Sequence, residues 1–233
     1  MSSYNLLDWD TNFFGIRVGR LNSERLSRGD LPAITHWCDA NRVECLYFLT
    51  DAADTASIHA AEDSGFRLMD IRMTLRHYGS VSSQTGRVRM ASLEDLPALK
   101  AMVRGTFLDT RFYRDSRLAP HADRLYETWI ERDVKGHAAI VLVADDTQSN
   151  PAGFISCHYS SHTKIGEISL IAVRRDARGQ GIGSLLVDSA KAWFFSVGAT
   201  QISVVTNGAN ISAQKLYQRK EFHVDRVQIW FHR

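Results

Sequence analysis

The chain has little that would tie it to an oxidising compartment, a membrane or a polyanion. Its three cysteines, Cys38, Cys45 and Cys157, are too few and too scattered for a disulfide framework. None forms a C-x-x-C pair, so a metal site is not expected either. Reduced thiols suit a cytoplasmic protein. No apolar run approaches the length of a membrane span, and the opening MSSYNLLDWDTNFFG carries acidic residues where a signal peptide has its apolar core. Charge of one sign is also missing. Lys and Arg number 28 against 26 Asp and Glu, and a net charge of +2 offers no broad field to nucleic acid or anionic lipid. What is present is 233 residues, 44% hydrophobic and 23% charged, enough for one large domain or two small ones with a real core.

Hydrophobic patterning predicts a helix–strand–helix–strand unit used twice. The first copy runs through the Trp-bearing helix LPAITHWCDANR, the strand CLYFLTD (45–51), a helix within 52–66 and the strand FRLMDIRMTLRH (66–77). The second runs through LLVDSAKAWFFSVG, TQISVVTN (200–207), ANISAQKLYQRKEF (209–222) and FHVDRVQIWFHR (222–233). A constant offset of 156 pairs Trp37 with Trp193, Asp51 with Asn207, Asp54 with Asn210 and Phe66 with Phe222. The match fails over Arg178–Gly183, whose counterpart NSERLS has no glycine, and at Tyr217, whose counterpart is Ala61. The first copy is therefore expected to be scaffold, a dimer surface or a wall of the substrate site. The Gly/Ser/Thr-rich stretch HYGSVSSQTGR (77–87) reads as a linker, which divides the chain into an N-terminal αβ unit (1–80) and a larger unit (87–233).

The larger unit opens with a short strand, RVRMA, and a helix that Ser92 caps with Asp95 three residues on. A second helix, RLYETWIERDVKG, and three strands in hairpin order follow: HAAIVLVADD, PAGFISCHYSS and IGEISLIAVRR. The segment RRDARGQGIGSLL (174–186) then turns from strand to helix through three glycines. Such a turn lets backbone N–H groups approach an anion, and the open end of the helix adds partial positive charge. A phosphate or pyrophosphate is the natural guest, with Arg174, Arg175 and Arg178 at hand. The loop is not a Walker A motif, because no Gly-Lys-Ser/Thr follows. It is a poor dinucleotide fingerprint, because the third glycine comes too soon and the next strand ends in Thr206-Asn207 with no acid. The plain alternative is a glycine-softened turn with solvated arginines.

The form Arg/Gln-x-x-Gly-x-Gly, held here by Arg178, Gly181 and Gly183, precedes by about twenty residues the stretch TNGANISAQKLYQRKEF, which carries the set Asn210, Ala213, Leu216 and Tyr217. These residues resemble the GNAT acyltransferase superfamily over roughly 87–233. One departure is Glu221, where the family usually has glycine before the final Phe. The resemblance implies an α/β (α+β) GNAT fold: a mixed, mostly antiparallel central sheet flanked by helices, preceded here by a smaller incomplete GNAT-like unit. It implies acetyl-CoA as co-substrate and no metal. The pyrophosphate would lie on Arg178, Gly179, Gln180, Gly181, Ile182, Gly183 and Ser184. The pantetheine arm would pair with Ile171, Ala172 and Val173, beside Asn207, Asn210 and Ala213. Tyr217 would be the general acid for the departing thiolate. Asn210, Ala213 and Tyr217 share one helix face by spacing, and Asn210 or Asn207 suits the cap. The base is open between Glu167, His158, His162 and a water chain.

The block LDWDTNFFGIRVGRL (7–21) reads as a turn and a short strand, with Trp9, Phe13 and Phe14 in the core. With GTFLDTRFYRDSRLAP (105–120), YETWI (126–130) and the ending IWFHR, it resembles members of the superfamily that acetylate a dTDP-linked 4-amino-4,6-dideoxy sugar. Arg111, Phe112, Tyr113 and Arg114 would then meet a diphosphate and a ring. Other amines (a peptide N-terminus, a polyamine, an antibiotic) and a non-catalytic CoA-binding module stay open. A peptide acceptor predicts an open groove, a nucleotide sugar a basic, aromatic pocket near 107–118. No nucleic-acid or membrane partner is expected. The last strand, FHVDRVQIWFHR, is expected at a sheet edge where it would support a homodimer.

Overall fold

One ten-stranded sheet organises the chain, and helices cover both of its faces. A computed structural model describes residues 4–79 and 88–233, so most of the expected linker, and the unit boundary inside it, lie outside the described residues. The first part comprises β1 (Tyr4–Leu6), α1 (Asp8–Phe14), β2 (Val18–Leu21), α2 (Leu31–Asn41), β3 (Cys45–Asp51), α3 (Thr55–Asp63) and β4 (Arg67–Tyr78). The second begins with β5 (Val88–Met90), α4 (Leu96–Val103), α5 (Arg111–Arg114) and α6 (Ala122–Arg132). It continues with β6 (Ile140–Asp145), β7 (Pro151–Ser160), β8 (Ile165–Val173), α7 (Ile182–Ser196), β9 (Gln201–Asn207), α8 (Ile211–Arg219) and β10 (His223–His232). No helix among the described residues is long and apolar enough to cross a membrane.

The strand order is β1-β2-β3-β10-β4-β9-β8-β7-β6-β5. Among the described residues, only β2–β3 and β8–β9 are parallel; the other pairs are antiparallel. β3 is buried from Cys45 to Thr50 because both of its faces are covered, Cys45 and Tyr47 by α1, α5 and α6, and Leu46 and Phe48 by α2 and α3. α7 and α8 pack on β6 to β9 through Leu186, Ala190, Phe194 and Tyr217. Ser92 and Asp95 form the expected capping box ahead of α4, on a short 3-10 turn.

The 156-residue offset holds to the residue. β3 and β9, and α3 and α8, have bounds that superpose on adding 156. Asp54 and Asn210 cap their helices alike, at φ −85° and −81°, each accepting the N–H three residues on. The last strand of each copy does not stay with its own copy. β10 pairs with β3, and β4 pairs with β9, in matching register: Gln228 opposite Asp51, and Arg72 opposite Asn207. β4 and β10 meet at the centre, where Arg72 Nη1 donates to Gln228 Oε1 at 2.7 Å.

Two expectations are corrected. Residues 8–14 form a helix rather than a turn: Asp8 and Asp10 occupy its first turn, Gly15 ends it at φ +72°, and Trp9 stays 41% exposed while Phe14 is buried. And β10 is no edge strand, being paired on both sides, so it offers no edge for a dimer; the edges are β1 and β5.

Candidate active site

A break in the sheet creates the site. β8 and β9 pair from Ile165–Gln201 to Ile168–Val204 and then separate. β8 carries a bulge at this point, opposite Ser156–Cys157, which switches its side chains between faces: Ile168 packs under α7, Leu170 and Ala172 on the opposite face. Beyond the bulge, Leu170–Val173 pairs only with β7 and Val205–Asn207 only with β4. The wedge opens into a pocket of about 620 Å³ lined on this side by Leu170, Ile171, Asn207, Asn210, Ala213 and Tyr217.

The glycine loop lies at the mouth of the wedge. Gly179 and Gly181 have φ +79° and +83°, a region that favours glycine, and a Cβ at either would meet nothing within 4 Å. Among the described residues the backbone N–H groups from Gly179 to Ser184 have no hydrogen-bond partner, and the last three begin α7. Arg178, Arg175 and Arg104 border an adjoining cleft of about 540 Å³, which meets the main pocket at Thr106. Arg174 is instead tied to Asp146 and Asp176.

Tyr217 is buried on the wall, and burial pushes its phenol up, so it keeps its proton at neutral pH. Asn210 spends its side-chain oxygen on the α8 cap, 3.0 Å from Ala213 N. The Asn207 amide donates to Asp70 Oδ1 and to the Asp109 carbonyl, 2.7 Å away, so its amide group holds Asp70 in place.

The opposite wall comes from the first part of the chain and from β10. It carries Trp9, Asp10, Arg20, Tyr47, Asp70, Arg72 and Trp230. Asp70 is 8% exposed. Burial pushes its carboxyl up to about 6, against the lowering pull of the Arg111 backbone N–H at 3.3 Å. Burial also raises Asp10, although Arg111 and Arg20 oppose the shift.

The predicted site residues separate accordingly. Ile171, Asn207, Asn210, Ala213, Tyr217, Arg111 and Phe112 meet in the one pocket, and Val173 and Arg178 meet in the adjoining cleft. The side chain of Ala172 is in the core. Tyr113 stacks on Tyr126 and donates to Asp123, and Arg114 donates to the Met69 carbonyl, so neither lines the pocket. Glu167 is exposed, one step on the closed side of the wedge, and is not on the pocket wall. His158 is bound to Asp133 at 3.4 Å. Asp70 and Arg72 were missed, although two charged residues at alternate positions in RLMDIRM mark a strand face that is not plain core.

A family model described as the acetyltransferase (GNAT) family matches residues 106–222. The chain is 29% identical over 239 residues to a protein of Escherichia coli O6:H1 named dTDP-fucosamine acetyltransferase, covering 100% of this chain and 98% of that protein. The crystal structure of a GCN5-related N-acetyltransferase from Sphaerobacter thermophilus superposes with a TM-score of 0.72 at 15% identity, covering 99% of this chain and 75% of that one. A GCN5-related N-acetyltransferase from Kribbella flavida gives 0.60 at 13% identity, over 93% and 80%. The two structures share the fold with this chain.

Proposed function

Because the chain belongs to the acetyltransferase (GNAT) family, we propose that this N-acetyltransferase acts on the amine of a nucleotide-linked 4-amino-4,6-dideoxy sugar, with acetyl-CoA as acetyl donor. One observation carries the reading: an open wedge beside a cradle of unspent N–H groups leads into a pocket that holds both a protonated phenol and a raised carboxyl. The name of the full-length relative from Escherichia coli supports the acceptor class. So do the guanidinium groups and aromatic rings of Arg20, Arg72, Arg111, Trp9 and Trp230 around the pocket.

The residues fit acetyl-CoA. Six consecutive N–H groups and the start of α7 suit a pyrophosphate, and Arg175 and Arg178 lie beside them. The stretch of β8 around Ile171–Val173, unpaired on its β9 side, offers backbone groups to an amide-bearing arm. Acetyl-CoA supplies an acetyl thioester, which the neutral amine attacks with release of the CoA thiol. Tyr217 gives the departing sulfur its proton. Asp70 takes a proton from the amine, directly or through one water, because a carboxyl near 6 is largely ionised at neutral pH yet basic enough to accept one. Asn207 and the Arg111 N–H keep Asp70 oriented. In this reading residues 87–233 form the catalytic unit and residues 1–80 the acceptor wall. The test is thiol release from acetyl-CoA on adding dTDP-4-amino-4,6-dideoxygalactose. Rapid release supports the acceptor class. Release only with peptides or polyamines removes it and leaves the acetyltransferase.

A further inference from the structure

Arg111 is held from behind by a buried polar chain. Its guanidinium lies 4.2 Å from the ring centroids of Tyr47 and of Phe112 and 4.5 Å from that of Trp230. Its Nη1 is 3.2 Å from Nε2 of His232. A guanidinium can only donate, so Nε2 carries the lone pair and the imidazole proton sits on Nδ1. Nδ1 lies 2.8 Å from Oδ2 of Asp115, which also receives Arg117 Nη2 at 2.7 Å. Burial pushes His232 down to about 4, keeping it neutral. Burial alone would raise Asp115, but the hydrogen bonds from His232 and Arg117 outweigh it and hold the carboxylate ionised. The chain Arg117–Asp115–His232–Arg111 thus has one compatible proton arrangement.

Its front end faces the acceptor pocket. One of the five guanidinium donors of Arg111 is spent on His232. The Tyr47 hydroxyl, on the same pocket wall, is buried beside the Arg111 guanidinium and makes no hydrogen bond of good geometry among the described residues. A fixed cation and a buried donor beside it in one cavity are completed by an anionic oxygen. We propose that Asp115 and His232 are positioning residues that fix Arg111 and so create, with the Tyr47 hydroxyl, a subsite for a phosphate oxygen of the acceptor nucleotide. The proposal rests on reading the acceptor as a nucleotide-linked amine.

The experiment titrates the full-length protein with dTDP calorimetrically and measures KM for each substrate. His232→Asn is the informative variant, because its amide can still donate to Asp115 where Nδ1 did but presents nothing at Nε2. It is expected to weaken dTDP binding, and to raise KM for the amino sugar, about tenfold or more, with KM for acetyl-CoA within about twofold. Arg111→Ala should do the same, and the double variant should bind dTDP no more weakly than Arg111→Ala alone. His232→Gln, whose amide oxygen reaches the Nε2 position, should recover most of the loss. Wild-type affinity in His232→Asn, or losses that add in the double variant, would overturn the positioning role and leave the nucleotide reading in place. No binding of dTDP by the wild type overturns both. Tyr47→Phe removes the hydroxyl and keeps the ring against Arg111, and unchanged dTDP affinity there would remove Tyr47 from the subsite.

Discussion

Asp70 and Tyr217 are both shifted by burial, and the same cause suits them to opposite tasks. A carboxyl raised to about 6 becomes a better base, and a raised phenol stays a proton donor throughout the working pH range. The sign of the pH dependence follows. If Asp70 is the base, as proposed, it must be ionised, so kcat/KM of the free enzyme should fall below about pH 6, by about tenfold per unit at the limit. Asp70→Asn should lower kcat about 10²-fold and abolish that acid limb; a limb that survives in the variant would assign it to another group. Tyr217→Phe should also lower kcat by about 10²-fold, with acetyl-CoA affinity measured by calorimetry nearly unchanged. Equal turnover by the variant would take Tyr217 out of the acid role. Glu167 and the proposed base Asp70 show how motif position and pocket geometry point to different carboxyls. Glu167 sits at a position suggestive by motif and is exposed beside Arg72, off the pocket wall, while Asp70 lies on the wall on a neighbouring strand that the motif does not contain.

At the scale of elements, β8 and the loop after it do most to shape the site. The bulge separates β8 from β9, and close packing keeps the pairing tight below it. A Cβ on Gly166 would come within 3 Å of three ring atoms of Phe194, itself fully buried in α7. Gly166→Ala should therefore cost about 1–3 kcal/mol in denaturant unfolding, where an open position would have tolerated a methyl. Gly181 is the opposite case. A Cβ there meets nothing within 4 Å, so Gly181→Glu should fold with mainly the cost of its φ of +83°, yet weaken acetyl-CoA by about tenfold or more by placing a carboxylate at the proposed anion cradle. Unchanged affinity would displace the loop from the cofactor site. The loop, β3, β9 and the face of α8 were legible because each is written locally, as period, glycine or cap. α1 was not, because seven residues are too few to show a helical period. Its cues were the acids of the first turn and Gly15, and Trp9, read as core, is exposed at the pocket.

At the scale of the whole molecule, the two copies exchange their final strands, and no local pattern encodes that choice. β10 carries a strand pattern compatible with an edge or an interior, and only its partners β3 and β4 decide between them. The exchange builds the pocket, since it brings Asp70 and Arg72 of β4 beside Asn207 of β9. The related place in the other copy is an open cleft of about 840 Å³ whose charges are already paired: Arg226, the counterpart of Asp70, binds Asp51, the counterpart of Asn207, and also Glu24. The exchange also means that neither copy completes its sheet alone, because losing one would leave the long strands of the other unpaired. Unfolding should then be a single transition, although the chain contains a repeat. Cys38 and Cys157 are buried reporters in the two parts, so both thiols should become reactive at the same denaturant concentration. Saturating acetyl-CoA, at about 100 times its Kd, should raise both midpoints together by the equivalent of about 2.7 kcal/mol, although its proposed contacts lie in the second part alone. Thiols exposed in separate transitions, or a shift confined to Cys157, would mean that the shared sheet does not couple the two parts.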